Sequence, residues 1–273
     1  MAKGKVRISR QGPKAPVELR AAADLNDILQ RLTDLGKSVD EEMLGAAHDY
    51  AAEMHRDQVR RSGEPYFNHP IQVAYLLADL KFDQTCVAVG LLHDVLEDTP
   101  ATLQELETRF GAEVASLVDG VTKIGRHEYV RRDEAQAETF RKLVLASAKD
   151  IRVILVKLVD RYHNMLTLEH MPPESRRRIA QETLEIYAPI AHRLGMAKVQ
   201  GDLEDLAFFH LYSHQFTKLQ KKLREKVKVG KGGTAKIRDR LATSLEEAGL
   251  EAEIGSRVKR HYSIYRKLRR QGI

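Results

Sequence analysis

The stretch Leu91-Leu92-His93-Asp94-Val95-Leu96-Glu97-Asp98-Thr99 decides how the rest of the chain is read. Val87, Val89, Leu91, Leu92, Val95 and Leu96 are core-type residues, so the pattern predicts a mostly buried helix over 86–97. That helix ends in a cluster of groups able to bind a metal or carry a proton. Buried charge needs a partner, because an unpaired carboxylate in an apolar place costs several kcal/mol or takes up a proton. On a helix, Asp94, Glu97 and Asp98 fall at i, i+3 and i+4 and share one face. Three carboxylates there repel one another unless a cation lies among them. A divalent metal is the simplest such cation, and His93 supplies a nitrogen ligand beside it.

Two other segments offer ligands of the same kind. His69-Pro70 opens a predicted helix through Leu80, with proline at a favoured early position. Asp160 follows the strongly apolar first turns of a helix predicted over 151–168. His69, His93, Asp94 and Asp160 make a mixed nitrogen and oxygen set, which suits Mn²⁺, Fe²⁺ or Zn²⁺. Any one of them alone reads as a cap or a satisfied core group. Together, at the ends of three apolar segments, they point to a metal site inside a helical bundle. Asp160, Asn164 and Thr167 share a helix face at i, i+4 and i+7, which puts two polar groups beside a ligand. Arg60, Arg61 and Ser62 end a basic helix at a turn, where guanidinium and hydroxyl groups can meet phosphates or a base. A solvated surface is the plainer reading of either group taken by itself.

Composition sets outer limits. The chain has 273 residues, 42% of them hydrophobic, and no apolar run approaches the ~18 residues that a membrane span needs. Cys86 is the single cysteine, which excludes a disulfide framework and fits a reducing, cytoplasmic setting. Charge is unevenly spread. Residues 1–20 carry a net +5 and residues 217–273 a net +11, whereas 21–216 hold 22 basic and 32 acidic residues. The basic ends suit RNA, a ribosome or a phosphorylated ligand, and the acidic middle suits metal ions.

The organisation follows. Residues 1–20, with glycine and proline, read as a disordered basic arm. Residues 21–196 are predicted to be all helical, with a break near Gly36 and a Thr102/Glu105 capping box. Gly125 to about Asp133 reads as an exposed loop. A helical linker over 197–233, with one long helix through Glu225, leads to an αβα piece over 234–273. That piece is too short and polar to bury a core alone, and reads as the start of an incomplete α+β domain.

The patterns His55-x-x-Gln58-x-Arg60-x-Ser62-Gly63-x-Pro65-Tyr66-x-x-His69-Pro70, His93-Asp94-x-x-Glu97-Asp98-Thr99 and Lys157-Leu-x-Asp160-Arg161-x-His163-Asn164-Met165 resemble the hydrolase domain of the bacterial RelA/SpoT family, within the HD-domain superfamily. Tyr187-Ala-Pro-Ile-Ala-His192-Arg193-Leu-Gly195 is similar to the exit of that domain. Arg257-Val-Lys259-Arg-His-Tyr262-Ser263-Ile-Tyr265-Arg266-Lys267 resembles the opening of the family's nucleotidyltransferase-like synthetase domain. The resemblance spans about residues 40–273.

What it implies is an all-α HD-domain bundle and a Mn²⁺-dependent 3′-pyrophosphohydrolase of guanosine tetra- and pentaphosphate, without synthetase activity in this chain. By that likeness His69, His93, Asp94 and Asp160 bind the metal, and Glu97 and Asp98 orient or activate the attacking water. Arg60, Arg61, Ser62, Asn164 and Thr167 hold the nucleotide. Three positions depart from the family pattern: Val159 replaces alanine, Leu166 replaces an arginine and Arg61 replaces a frequent lysine. Leu166 takes a cation away from a polyphosphate, so substrate affinity is the property it puts at stake. Two other classes of function remain open at this point. One is a different HD-type nucleotide phosphohydrolase; the other is a silent regulatory module that binds RNA or a partner through its basic C-terminal region.

Overall fold

A computed structural model of the chain describes residues 7–9, 23–36, 39–125, 132–230, 233–255 and 259–272. The chain divides into two compact units, residues 19–207 and residues 1–18 with 208–273.

The larger unit is helical. It contains α1 (Leu25–Asp34), α2 (Glu41–Met54), α3 (Asn68–Asp79), α4 (Gln84–Leu92), the single turn α5 (Val95–Asp98), α6 (Leu103–Gly125), α7 (Arg132–Lys149) and α8 (Ile151–Leu166). A 3₁₀ turn (Leu168–His170), α9 (Pro173–Glu182), a π-turn (Thr183–Tyr187) and α10 (Ala188–Arg193) follow. The first residues of α11 (Ala197–Leu211) complete the unit. Aspartates fix several helix starts: Asp24, Asp40, Asp83 and Asp150 each accept a backbone N–H in the first turn. Thr102 and Glu105 form the expected reciprocal box.

α3 and α4 are the core. Every residue from Cys86 to Leu92 is buried, and so are nine residues of α3. A helix apolar on all sides belongs at the centre of a domain. α3 and α4 come together at Gly90, where an added Cβ would lie 2.6 Å from Leu77 Cδ1 and 3.1 Å from the Ala74 Cα. α8 packs on α3, α4 and α6 through a buried face that includes Val153, Val156, Val159, Tyr162 and Met165.

Several boundaries differ from the sequence reading. The helix expected over 86–97 stops at Leu92 and resumes as α5, with His93 and Asp94 between. Asp94 then serves as the first carbonyl of the new turn, accepting from Glu97 N at 3.1 Å and Asp98 N at 2.9 Å. The boundary expected at Gly111 is present inside α6: two helical stretches meet there at a non-helical Gly111, whose φ of 82° favours glycine. The helix expected over 174–194 is interrupted by the π-turn just before Pro189, which a regular helix interior would not accept without losing a hydrogen bond. The expected loop over 125–133 falls mostly outside the described residues, and α7 already begins at Arg132. No helix among the described residues is long and apolar enough to cross a membrane.

The smaller unit contains β1 (Arg7–Ser9), the end of α11, α12 (Ser213–Gly230), α13 (Gly233–Glu247), β2 (Glu253–Gly255) and α14 (His261–Arg270). The long helix expected over 197–225 is broken at Tyr212 into α11 and α12. Part of the stretch read as a disordered arm is instead a strand: Arg7–Ser9 pairs in parallel with Glu253–Gly255, Ile8 opposite Ile254. Its remainder lies outside the described residues. Within this unit Phe208 stacks on Tyr265 at 4.5 Å, with Tyr212, Phe216 and Tyr262 around it.

Candidate metal centre

His69 enters from the first turn of α3, His93 and Asp94 from the break between α4 and α5, and Asp160 from α8. All four are buried. His93 Nε2 lies 3.3 Å from His69 Nε2 and 3.1 Å from Asp94 Oδ2. His69 Nε2 lies 3.2 Å from Asp160 Oδ1 and 3.5 Å from Asp94 Oδ2, and His93 Nε2 is 3.8 Å from Asp160 Oδ1. Donor atoms about 2.1 Å from a shared ion stand about 3.0 Å apart at right angles and about 3.4 Å apart in a tetrahedron. The observed spacings run from 3.1 to 3.8 Å. His69, His93 and Asp160 each offer one atom within 4.8 Å of the others, and with Asp94 Oδ2 beside both histidines they make a donor set for a divalent transition metal. The residues present therefore fit such an ion.

Groups around the cluster orient it. The last carbonyls of a helix lack partners within the helix. Because α4 ends at Leu92, the Gly90 carbonyl is one of these, and His93 Nδ1–H donates to it at 2.9 Å. That bond leaves Nε2 as the nitrogen turned toward the cluster. Asp160 receives Lys157 Nζ on Oδ2 at 2.9 Å and Asn164 Nδ2 on Oδ1 at 2.6 Å. Tyr66 Oη lies 2.9 Å from Asp94 Oδ2 and 2.7 Å from Asp98 Oδ2, so one hydroxyl joins a candidate ligand to a candidate catalytic carboxylate. Gln58 Nε2 donates to the Asp98 carbonyl at 2.6 Å, and its Oε1 meets His55 Nδ1 at 2.8 Å. The His55 ring stacks on Tyr66 at 4.8 Å.

Charge states follow from this packing. Burial works against charge on His93, but the Asp94 and Asp160 carboxylates outweigh it and lift its pKa to about 9. His69 is pushed below its ordinary value, chiefly by burial. Burial also opposes ionisation of Asp94 and Asp160, yet both are held well below the usual carboxylate range. The His93 charge is the main cause for Asp94, and the Lys157 charge for Asp160. Glu97 is raised by burial and by Asp94 and Asp98, with Lys157 opposing.

The cluster opens into a cavity of about 490 Å³. His69, Asp94 and Asp160 line it together with Glu97 and Asp98. Arg60, Arg61, Ser62, Asn164 and Thr167 line it as well, so every candidate site residue except the fully enclosed His93 reaches this space. Arg60 is tied to α8, with Nη2 3.1 Å from Asn164 Oδ1 and 3.4 Å from Thr167 Oγ1. Leu166 does not line the cavity, while Lys157, Arg161 and Arg178 add cations to its wall. Arg161 is braced by Glu182 at 3.1 Å and lies over the Tyr187 ring at 4.1 Å. Tyr66, Lys157, His163, Arg161 and Arg178 were not among the site residues read from sequence. Each is a polar residue in a helix or turn with an ordinary local role; packing turns Tyr66, Lys157, Arg161 and Arg178 toward this space and sets the buried His163 against His69 and Arg60.

A family model described as the HD domain matches residues 47–197, which contain all four cluster residues. The chain belongs to the HD-domain family. The HD domain here is homologous to the RelA/SpoT proteins. The chain is 48% identical over 86% of its length to a GTP pyrophosphokinase of Myxococcus xanthus, covering 31% of that protein. It is 46% identical over 82% of its length to the bifunctional (p)ppGpp synthase/hydrolase SpoT of Escherichia coli strain K12, covering 32% of it. The chain thus spans about a third of the length of these curated relatives. A solved structure titled as a metazoan ortholog of SpoT that hydrolyzes ppGpp matches with a TM-score of 0.43 and 28% identity, over 53% of this chain and 87% of that one.

Proposed function

We propose that the HD domain is a divalent-metal-dependent phosphohydrolase that removes pyrophosphate from the 3′ position of guanosine tetra- and pentaphosphate, with Mn²⁺ as its ion. The observation that carries this reading is the juxtaposition of a buried two-histidine, two-aspartate cluster with a cavity walled by five cations, Arg60, Arg61, Lys157, Arg161 and Arg178. Such a wall suits a ligand with several phosphates. The E. coli relative named as a (p)ppGpp synthase/hydrolase supports this choice of nucleotide.

His69, His93, Asp94 and Asp160 would hold the metal, which when bound lowers the pKa of water and polarises a phosphoryl oxygen. Glu97, a carboxylate at the cavity whose pKa is raised by burial, takes the proton of the attacking water. Asp98, held by Tyr66 and through its carbonyl by Gln58, orients that water. Water oxygen adds to the 3′ phosphorus, the bond from phosphorus to O3′ breaks, and O3′ leaves as the sugar hydroxyl with the proton that Glu97 took from the water. Arg60, Arg61 and Ser62, with Asn164 and Thr167 against Arg60, hold the nucleotide.

The test is pyrophosphate release from guanosine tetraphosphate with added Mn²⁺, beside an EDTA control and a His93→Ala variant. Turnover to GDP that requires both the metal and His93 is expected. Turnover of other nucleotides but not of this one would move the reading to a different HD phosphohydrolase. A ligand that binds but never turns over would support a regulatory module.

A further inference from the structure

His163 lies in α8, one turn after Asp160, and is 3% exposed. Its Nδ1 faces two neighbours, His69 Nδ1 at 2.7 Å and Arg60 Nη1 at 3.3 Å. A guanidinium can only donate. Nδ1 of His163 must therefore carry a lone pair, since an N–H there would point at another N–H. A lone pair on that atom makes it the acceptor for His69, so the His69 proton lies on Nδ1. His69 Nε2, the atom turned toward His93, Asp94 and Asp160, is then free to bind an ion. The reverse arrangement, with His163 donating, would put a proton on His69 Nε2 and block the ligand atom.

We propose that His163 is a positioning residue of the metal centre, fixing the tautomer of His69 through the Nδ1–Nδ1 hydrogen bond, with Arg60 setting its direction. The inference rests on the reading of the cluster as a metal site. It gives the two ligand histidines separate anchors of different kinds. His93 is held by a backbone carbonyl, which cannot change its role. His69 is held by a side chain that can be exchanged, and the chain of contacts ends on Arg60, one of the groups offered to the nucleotide. Ligand orientation by such outer partners typically contributes about 10- to 100-fold in metal affinity.

The test uses the whole chain, stripped of metal, as wild type, His163→Leu and His163→Gln. Leucine removes the acceptor, whereas the glutamine Oε1 restores one. Long-range ¹H–¹⁵N spectra of histidine-labelled, metal-free protein read the tautomers, and electron paramagnetic resonance of free Mn²⁺ reads the affinity for that ion alone. Expected are His69 protonated on Nδ1 and His163 on Nε2 in the wild type. Mn²⁺ should bind about 10- to 100-fold more weakly to His163→Leu, with most of the loss recovered in His163→Gln. A wild-type His69 protonated on Nε2, or equal Mn²⁺ affinity in the three proteins, would overturn the inference alone. If His163→Leu does not fold, the wild-type tautomers and His163→Gln still decide it. A wild-type chain that binds no Mn²⁺ would sink the metal-site reading, and this inference with it.

Discussion

Binding of a divalent ion should release close to one proton per site at neutral pH. In the metal-free cluster His93 is the protonated member: burial opposes its charge, but Asp94 and Asp160 lift its pKa to about 9 from the ordinary 6.5. His69 moves the other way and stays neutral. Because His93 Nδ1–H is committed to Gly90, the proton that leaves is the one on Nε2, where the ion must bind. Between pH 6.5 and about 9, the apparent Mn²⁺ affinity should rise close to tenfold per pH unit, then level off. Calorimetric titration with Mn²⁺ at pH 7, in two buffers of different ionisation enthalpy, counts the protons, and a value near one is expected. A count near zero, with affinity flat across that range, would refute the assignment of His93 as a protonated ligand-in-waiting. Folding stability carries the same signature. The folded pKa is above the unfolded one, so the stabilisation is fully present below pH 6.5 and is lost as pH rises through about 9. At about 1.4 kcal/mol per pH unit the loss amounts to about 3 kcal/mol in the metal-free protein. Saturating metal should abolish that decline, because His93 then has no proton on Nε2 to lose.

Lys157→Met leaves the buried Asp160 carboxylate without its cation at 2.9 Å, and should cost the metal-free protein about 3–5 kcal/mol in urea denaturation. Added Mn²⁺ should return a large part of that loss; an equal loss with and without the ion would count against the cluster as a metal site. Tyr66→Phe removes the hydroxyl between Asp94 and Asp98. Turnover of guanosine tetraphosphate should fall about 10- to 100-fold with KM nearly unchanged, and a rise confined to KM would argue against the role given to Asp98. Gly90→Ala forces a Cβ to within 2.6 Å of Leu77 Cδ1, so melting experiments should show a loss of about 1–3 kcal/mol. An unchanged melting temperature would mean that α3 and α4 are less tightly joined than described.

Much of this architecture is legible in the residues themselves. The apolar runs in 71–78, 86–92 and 151–159 mark α3, α4 and α8, and the ligand candidates lie at or beside their ends. What the pattern could not show is where a helix stops when the residues beyond it are equally apolar. Val95 and Leu96 continue the periodicity across the break at His93, just as Phe208, Phe209, Tyr212 and Phe216 carry an apolar pattern across the break at Tyr212. The π-turn before Pro189 is set by hydrogen-bond register, which composition does not record. Tyr66 and His163 stand in the quoted motifs, but their contacts at the site were hidden for another reason. Each is one polar residue in a helical or turn context, and its importance comes from a partner 28 to 94 positions away.

The end of α4 at Leu92 makes this site intolerant of changes in length. The Gly90 carbonyl is available to the His93 ring only because the helix stops there, three residues from acceptor to donor. One residue inserted between them would swing His93 by about 100° around the helix axis and carry it about 1.5 Å along. One residue deleted would swing it by the same angle the other way. Substitutions around the cluster can be compensated by their neighbours, but a shift in spacing cannot. Variation in chain length among functional variants of this domain should therefore collect elsewhere, and residues 90–98 should behave as a cassette of fixed size.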